Sequence, residues 1–266
     1  MDRLGALRYF LLDMDGTVYL GPHAIDGAPE FLAYLKATGR KPLYFTNNPT
    51  KDAAAYAEKL RGLGMDAAPE EILTSGEATA RYIAGETPWR RLYVLGNPSF
   101  EAELARHGLS VVQDAPDAVV LAFDTTLTYE KLRRAGLYLN AGLPYVATNP
   151  DAVCPTEYGS IPDCGSMAAL LEKATGRTPI FVGKPNPIMA AMGLKKLGAA
   201  AAETAMVGDR LYTDMEMARQ AGLCGILVLS GEATREQAAA AAHPPEIVVE
   251  SVKELHARLR AADGAA

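Results

Sequence analysis

The chain has 266 residues, enough for one large or two moderate domains. It is 49 % hydrophobic and 22 % charged, an ordinary globular balance, and no apolar run approaches the ~20 residues that span a bilayer. A formal net charge of −6 with no basic block disfavours a nucleic-acid partner, and no membrane partner is expected. Three cysteines (Cys154, Cys164 and Cys224) argue against a disulfide scaffold and for a reducing compartment. Residues 1–8 carry neither an apolar h-region nor a cleavage pattern, so a cytoplasmic location is expected. The spacing of Cys154 and Cys164 is not that of a metal knuckle. His23, His107, His243 and His256 are scattered without triad or zinc spacing, and both sets read as structural.

The apolar and aromatic run Tyr9-Phe10-Leu11-Leu12 predicts a buried strand, broken off abruptly by Asp13-Met14-Asp15-Gly16-Thr17. Residues 29–38 predict a helix ended by Gly39, followed by a strand over 42–45. Thr50 is positioned to cap a helix running to Leu63 and closed by Gly64. A second α/β series comes next, with strands at 92–95, 119–123 and 145–148. Its helices fall at 100–106, 129–141 and 167–174, the last two N-capped by Thr128 and Ser166. This block, residues 81–178, is about 100 residues long and can hold its own small core. It reads as an insertion between residues 1–80 and 179–266, which build the main parallel sheet. That sheet continues with strands at 180–182, 205–207, 226–229 and 247–249, and Ser251 with Glu254 has capping-box spacing before the last helix.

Four strand ends carry polar residues of the types that phosphoryl transfer needs. In an open α/β sheet, ligands sit at the carboxyl ends of strands, where Asp13 and Asp15 fall. Two acids so close repel unless a cation or proton is shared, and a hard divalent metal resolves this with oxygen ligands. Thr46-Asn47-Asn48-Pro49 offers a hydroxyl, an amide and main-chain N–H groups to phosphate oxygens. Gly183-Lys184-Pro185-Asn186-Pro187 stiffens a lysine ahead of a helix that Pro187 can open. Gly208 lets the chain turn and leaves Asp209 at the sheet edge, with Asp214 after Thr213, an N-cap residue type. Each segment alone has a plainer reading. Asp-x-Asp-Gly also suits a solvated strand-to-turn junction, Asn-Pro initiates turns, and Asp214 suits the first turn of a helix.

The order Asp-x-Asp-Gly-Thr, Thr-Asn-Asn, Gly-Lys-Pro and Gly-Asp-x-x-x-x-Asp, each after a strand, resembles the haloacid-dehalogenase-like phosphatase superfamily. The Gly-Lys-Pro-x-Pro form, the Asp-Gly-Thr-Val-Tyr-Leu-Gly opening and the inserted α/β block look like its NagD-like, 4-nitrophenylphosphatase-type branch. The resemblance runs from about Tyr9 to Ser251. Ala147-Thr148-Asn149-Pro150-Asp151 also looks like that branch, whereas Pro162-Asp163-Cys164-Gly165-Ser166 departs from its Pro-Gly-x-Gly-Ser pattern. The resemblance implies a Rossmann-like core with a smaller α/β cap, and a phosphatase acting on nucleotide, sugar or aryl phosphate monoesters. Asp13 is then the nucleophile that forms an aspartyl-phosphate, and Asp15 the acid and base. Mg²⁺ is implied as cofactor, held by Asp13, the main-chain carbonyl of Asp15, Asp209 and Asp214. Thr46, Asn47 and Lys184 are implied as phosphate ligands, and Asn149, Glu157 and Tyr158 as cap contacts. The expected partner is a small phosphate ester. A homo-oligomer, a phosphomutase and a non-catalytic phosphometabolite-binding protein on the same fold stay open at this stage.

Overall fold

A computed structural model describes residues 3–48, 51–156 and 158–264. Pro49, the expected cap Thr50 and the expected contact Glu157 lie outside the described residues. Two parallel sheets organise the chain. In chain order their strands are β1 (Tyr9–Asp13), β2 (Lys41–Thr46), β3 (Ile72–Thr74), β4 (Arg91–Leu95), β5 (Ser110–Val111), β6 (Ala118–Leu121), β7 (Tyr145–Ala147), β8 (Ile180–Phe181), β9 (Thr204–Gly208), β10 (Cys224–Val228) and β11 (Ile247–Val249). A six-stranded sheet runs β11-β10-β9-β1-β2-β3, and a five-stranded sheet runs β8-β7-β6-β4-β5. Packing divides the chain into two compact units. The first is Met1–Thr46, Ala53–Leu73 and Gly193–Ala266, and the second is Asn47–Asp52 and Thr74–Met192.

In the first unit, β1 is the central strand, paired in parallel with β2 and β9. Phe10, Leu11 and Leu12 are all fully buried, as expected for a strand covered on both faces. Phe10 and Leu12 project to one face and pack among Phe31, Leu35, Leu255 and Leu259. From β1 the chain fills β2 and β3 on one side, and later β9, β10 and β11 on the other. The order of strands therefore reverses between β1 and β9, and such a switch point opens a crevice at the carboxyl edge. The register sets Leu12 opposite Val207 and Asp13 opposite Phe45, so β1 ends level with its neighbours.

The second unit has its own core on both faces of its sheet. Leu92 and Val94 pack one way with Ala80, Ile83, Phe100 and Leu104. Tyr93 and Leu95 pack the other way with Ala135, Leu139, Ala168 and Leu171, the two-residue alternation of a strand. This core moves both expected boundaries. The helix Ser75–Glu86 is N-capped by the Thr74 hydroxyl, which accepts from Glu77 N at 3.1 Å, and it buries Ala80 and Ile83 here. The unit therefore begins before residue 81. The expected main-sheet strand at 180–182 is instead β8, with Ile180 opposite Val146 of β7. Residues 179–192 accordingly belong to the second unit rather than to the main sheet.

Two expected caps and one expected capping box also differ. Asp163, not Ser166, caps the helix Cys164–Thr175, and the Ser166 hydroxyl donates to Ala152 O at 2.6 Å. Ser251 does cap the last helix, but Glu254 accepts from Glu250 N rather than from the cap residue. Thr213 lies inside a wide helical turn, Leu211–Met215, and caps nothing. The stretch expected to be shaped loop contains an antiparallel hairpin, Val153–Thr156 with Gly159–Pro162. No helix among the described residues is long and apolar enough to cross a membrane. Because Leu12 is fully buried in the central strand, Leu12→Ala is expected to lower stability by about 2–5 kcal/mol in urea unfolding, with the slope unchanged.

Candidate active site

The segments that leave β1 and β9 line the crevice at the switch point. Asp13 closes β1 and is half-buried. The chain then curls on itself: Met14 O accepts from the N–H groups of Thr17, Val18 and Tyr19, and Gly16 N donates to Tyr19 O at 2.7 Å. Gly16 adopts φ +87°, a conformation that a side chain would strain. A Cβ there would also lie 2.5 Å from Asp209 Oδ2. The curl leaves Asp15 exposed, two residues beyond Asp13. The Thr17 hydroxyl lies 3.5 Å from Asp13 Oδ2, the outer limit of a hydrogen bond.

Asp209 and Asp214 are buried, and main-chain amides hold both. Asp209 Oδ2 accepts from Glu232 N at 2.8 Å, and its carbonyl accepts from Ala233 N at 3.1 Å. Asp214 Oδ2 accepts from Arg210 N at 3.1 Å across the wide turn, so it folds back instead of starting a regular helix. The Ser230 hydroxyl donates to Gly16 O at 2.7 Å and ties the two loops together. Gly231 packs so closely on Asp209 that a Cβ would overlap the carboxylate. Asp13, Asp209 and Asp214 each bring a carboxylate oxygen within 4.8 Å of the others. At an effective dielectric of 20, each such pair of charges repels by about 3.5 kcal/mol or more. An all-carboxylate donor set of this kind fits a hard divalent cation. Burial works against the charge of Arg210, but Asp209 and Asp13 outweigh it and hold the guanidinium above its ordinary range.

Thr46, another of the expected phosphate ligands, ends β2 beside β1 and is half-buried. Asn47 and Lys184 belong to the second unit. The Asn47 carboxamide clasps the Lys184 main chain, with Lys184 N donating to Oδ1 at 2.8 Å and Nδ2 donating to Lys184 O at 2.9 Å. Lys184 is only 4 % exposed, a burial that lysine reaches when paired with an anion. Asn149 is fully buried, and its Nδ2 donates to Asp151 Oδ2 at 3.1 Å and Asp163 Oδ1 at 3.2 Å. These two acids flank the hairpin, so Asn149 binds its ends together. Tyr158 stands at the hairpin turn and is 92 % exposed.

Sequence reasoning assigned no role to Ser230, Gly231 and Glu232, although they come after the apolar strand β10 just as the other motifs come after theirs. Burial pushes the thiols of Cys164 up to about 12 and Cys224 up to about 11, and raises that of Cys154, with Asp163 and Asp151 adding to it. The His256 ring lies 4.8 Å from that of Tyr34, tilted by 43°, and His107 pairs with Glu103 at 3.1 Å.

Residues 10–110 match the family of haloacid dehalogenase-like hydrolases, and residues 181–255 match a HAD-hydrolase-like family. An acid sugar phosphatase of Staphylococcus aureus is 39 % identical over 94 % of this chain and 97 % of its own length. The structure of a 4-nitrophenylphosphatase from Thermotoga maritima superposes with a TM-score of 0.91 at 40 % identity, covering 97 % of this chain and 99 % of the other. A glycerol phosphate phosphatase from Mycobacterium tuberculosis, solved with magnesium, superposes at 0.88 with 34 % identity, covering 96 % and 78 %. The same enzyme has also been solved with calcium. The acids at the ends of β1 and β9, the two parallel sheets and these matches over nearly the whole length agree. The chain belongs to the haloacid-dehalogenase-like hydrolases, in the branch that includes NagD, and is a phosphatase of that family.

Proposed function

We propose that this phosphatase hydrolyses small organic phosphate monoesters (sugar, nucleotide or aryl phosphates) in the cytoplasm, through a phosphorylated Asp13. The observation that carries the reading is the pairing of a half-buried Asp13, grouped with Asp209 and Asp214, with an exposed Asp15 two residues later. Asp13 attacks phosphorus, the P–O bond to the ester oxygen breaks, and Asp15 gives that oxygen its proton. The Asp15 carboxylate then takes a proton from water as the water attacks the aspartyl-phosphate. Phosphate leaves, Asp13 is restored, and Asp15 ends protonated as it began. Magnesium, held by Asp13, the Asp15 carbonyl, Asp209 and Asp214, would shield the nucleophile from the phosphate's negative charge. The Thr46 hydroxyl, the Asn47 main chain and Lys184 bind the equatorial phosphoryl oxygens, where transition-state charge is spread. Tyr158 supplies a substrate contact from the hairpin, and Asn149 acts as its positioning residue. The acid sugar phosphatase among the relatives makes sugar phosphates the first substrates to try.

Phosphate release from a panel of sugar phosphates, nucleotides and 4-nitrophenyl phosphate tests the reading. Release is expected to require Mg²⁺, to stop with chelator, and to fall by about 10³-fold or more in Asp13→Asn. Release that survives loss of Asp13 overturns the mechanism. Lys184→Ala is expected to raise KM and lower kcat together, because the lysine meets charge in both ground and transition states. Gly231→Ala is expected to weaken Mg²⁺ activation by displacing the Asp209 carboxylate, while far-UV circular dichroism stays that of the wild type.

A further inference from the structure

Two residues that take no part in the reaction above embrace the grouped carboxylates. The N–H of Arg210 serves Asp214 and the N–H of Glu232 serves Asp209. Their side chains then meet beside the site. Arg210 Nε lies 2.9 Å from Glu232 Oε2, and the Tyr212 hydroxyl donates to the same oxygen at 3.2 Å. The approach to Nε is off its N–H direction, so the contact is an ion pair without a directed hydrogen bond. The two side chains are 40 % and 50 % exposed, and pairs so open to solvent add little to folding.

The pair does decide where a positive charge rests. Arg210 follows Asp209 directly in the chain and its N–H already bonds Asp214, so its side chain starts at the edge of the acid cluster, and Glu232 competes with those acids for it. A guanidinium's planar fork suits a carboxylate well. Released from Glu232, Arg210 would have the acids of the proposed metal site as its alternative partners. A cation settled there opposes a divalent ion by like charge and by occupying its ligands.

We propose that Glu232 is a tether that keeps the Arg210 side chain off the Asp13, Asp209 and Asp214 carboxylates, so that this pair sets how tightly a divalent cation is held. Both are positioning residues, and the proposal rests on reading those three acids as the metal site. The test is calorimetric titration of magnesium chloride, without substrate, into wild type, Glu232→Gln, Arg210→Gln and the double variant. Glutamine retains the main-chain N–H groups that hold Asp209 and Asp214. Glu232→Gln is expected to weaken Mg²⁺ binding by about two- to five-fold. In the Arg210→Gln background the same substitution is expected to change it little, a strongly non-additive cycle. Thermal unfolding midpoints are expected to stay close to wild type. Equal weakening in both backgrounds means that Glu232 acts through its own charge, and overturns the tether alone. No weakening in Glu232→Gln overturns it too. A wild type that binds no Mg²⁺ overturns the metal reading and the tether with it.

Discussion

Repulsion between like charges is the constraint around which the first unit is arranged. Asp13, Asp209 and Asp214 stand within 4.8 Å of one another, two of them buried, and nothing in hydrophobic packing favours that arrangement. It persists because the chain is over-determined around it. Main-chain amides of Arg210 and Glu232 hold the two buried acids, and Ala233 holds the Asp209 carbonyl. The Ser230 hydroxyl fastens the loop after β10 to the loop after β1. Gly16 and Gly231 are required there because a Cβ at either would strike Asp209. The parallel strands beneath supply the rigidity, with β1 and β9 paired along most of their length.

The second unit solves a different problem, that of holding short polar segments in place. Asn149 is the means in one case, joining Asp151 and Asp163 on either side of a hairpin. Asn47 is the means in the other, clasping both main-chain polar groups of Lys184. A carboxamide suits both tasks because it donates and accepts in one plane. Asn47 is the residue after Thr46, so the end of β2 is continuous in the chain with the group that fixes Lys184.

Much of this was legible in the sequence because an apolar run that stops at an acid has few explanations. Tyr9-Phe10-Leu11-Leu12 before Asp13, and Ala205-Met206-Val207 before Gly208 and Asp209, fall at the strand ends they predict. Elsewhere the deciding information is absent from any short segment. Ile180-Phe181-Val182 reads as a strand, but three apolar residues do not say which sheet they join, and its pairing is with β7. Ser166 and Asp163 are both good capping residues, and the choice rests on Asp163 also meeting Asn149. Thr213 precedes an acid just as a cap does. Yet the turn widens so that Asp214 can reach back to Arg210, a tertiary demand invisible locally. Ser230-Gly231-Glu232 carries no paired acids, and its value comes from a hydroxyl, a missing Cβ and a main-chain N–H that matter only once the loop meets Gly16 and Asp209.

The burial of the sulfur atoms has a consequence for the oxidative life of the protein. Cys164 opens the helix Cys164–Thr175 and packs into the second unit's core, Cys224 lies within β10, and burial holds both thiols protonated at neutral pH. Cys154 is shifted in the same direction. Peroxide attacks the thiolate, and a carboxylate has no corresponding ladder of oxidised states. The proposed reaction through Asp13 needs no thiolate, so its nucleophile lies outside the chemistry by which peroxide silences thiolate-dependent enzymes.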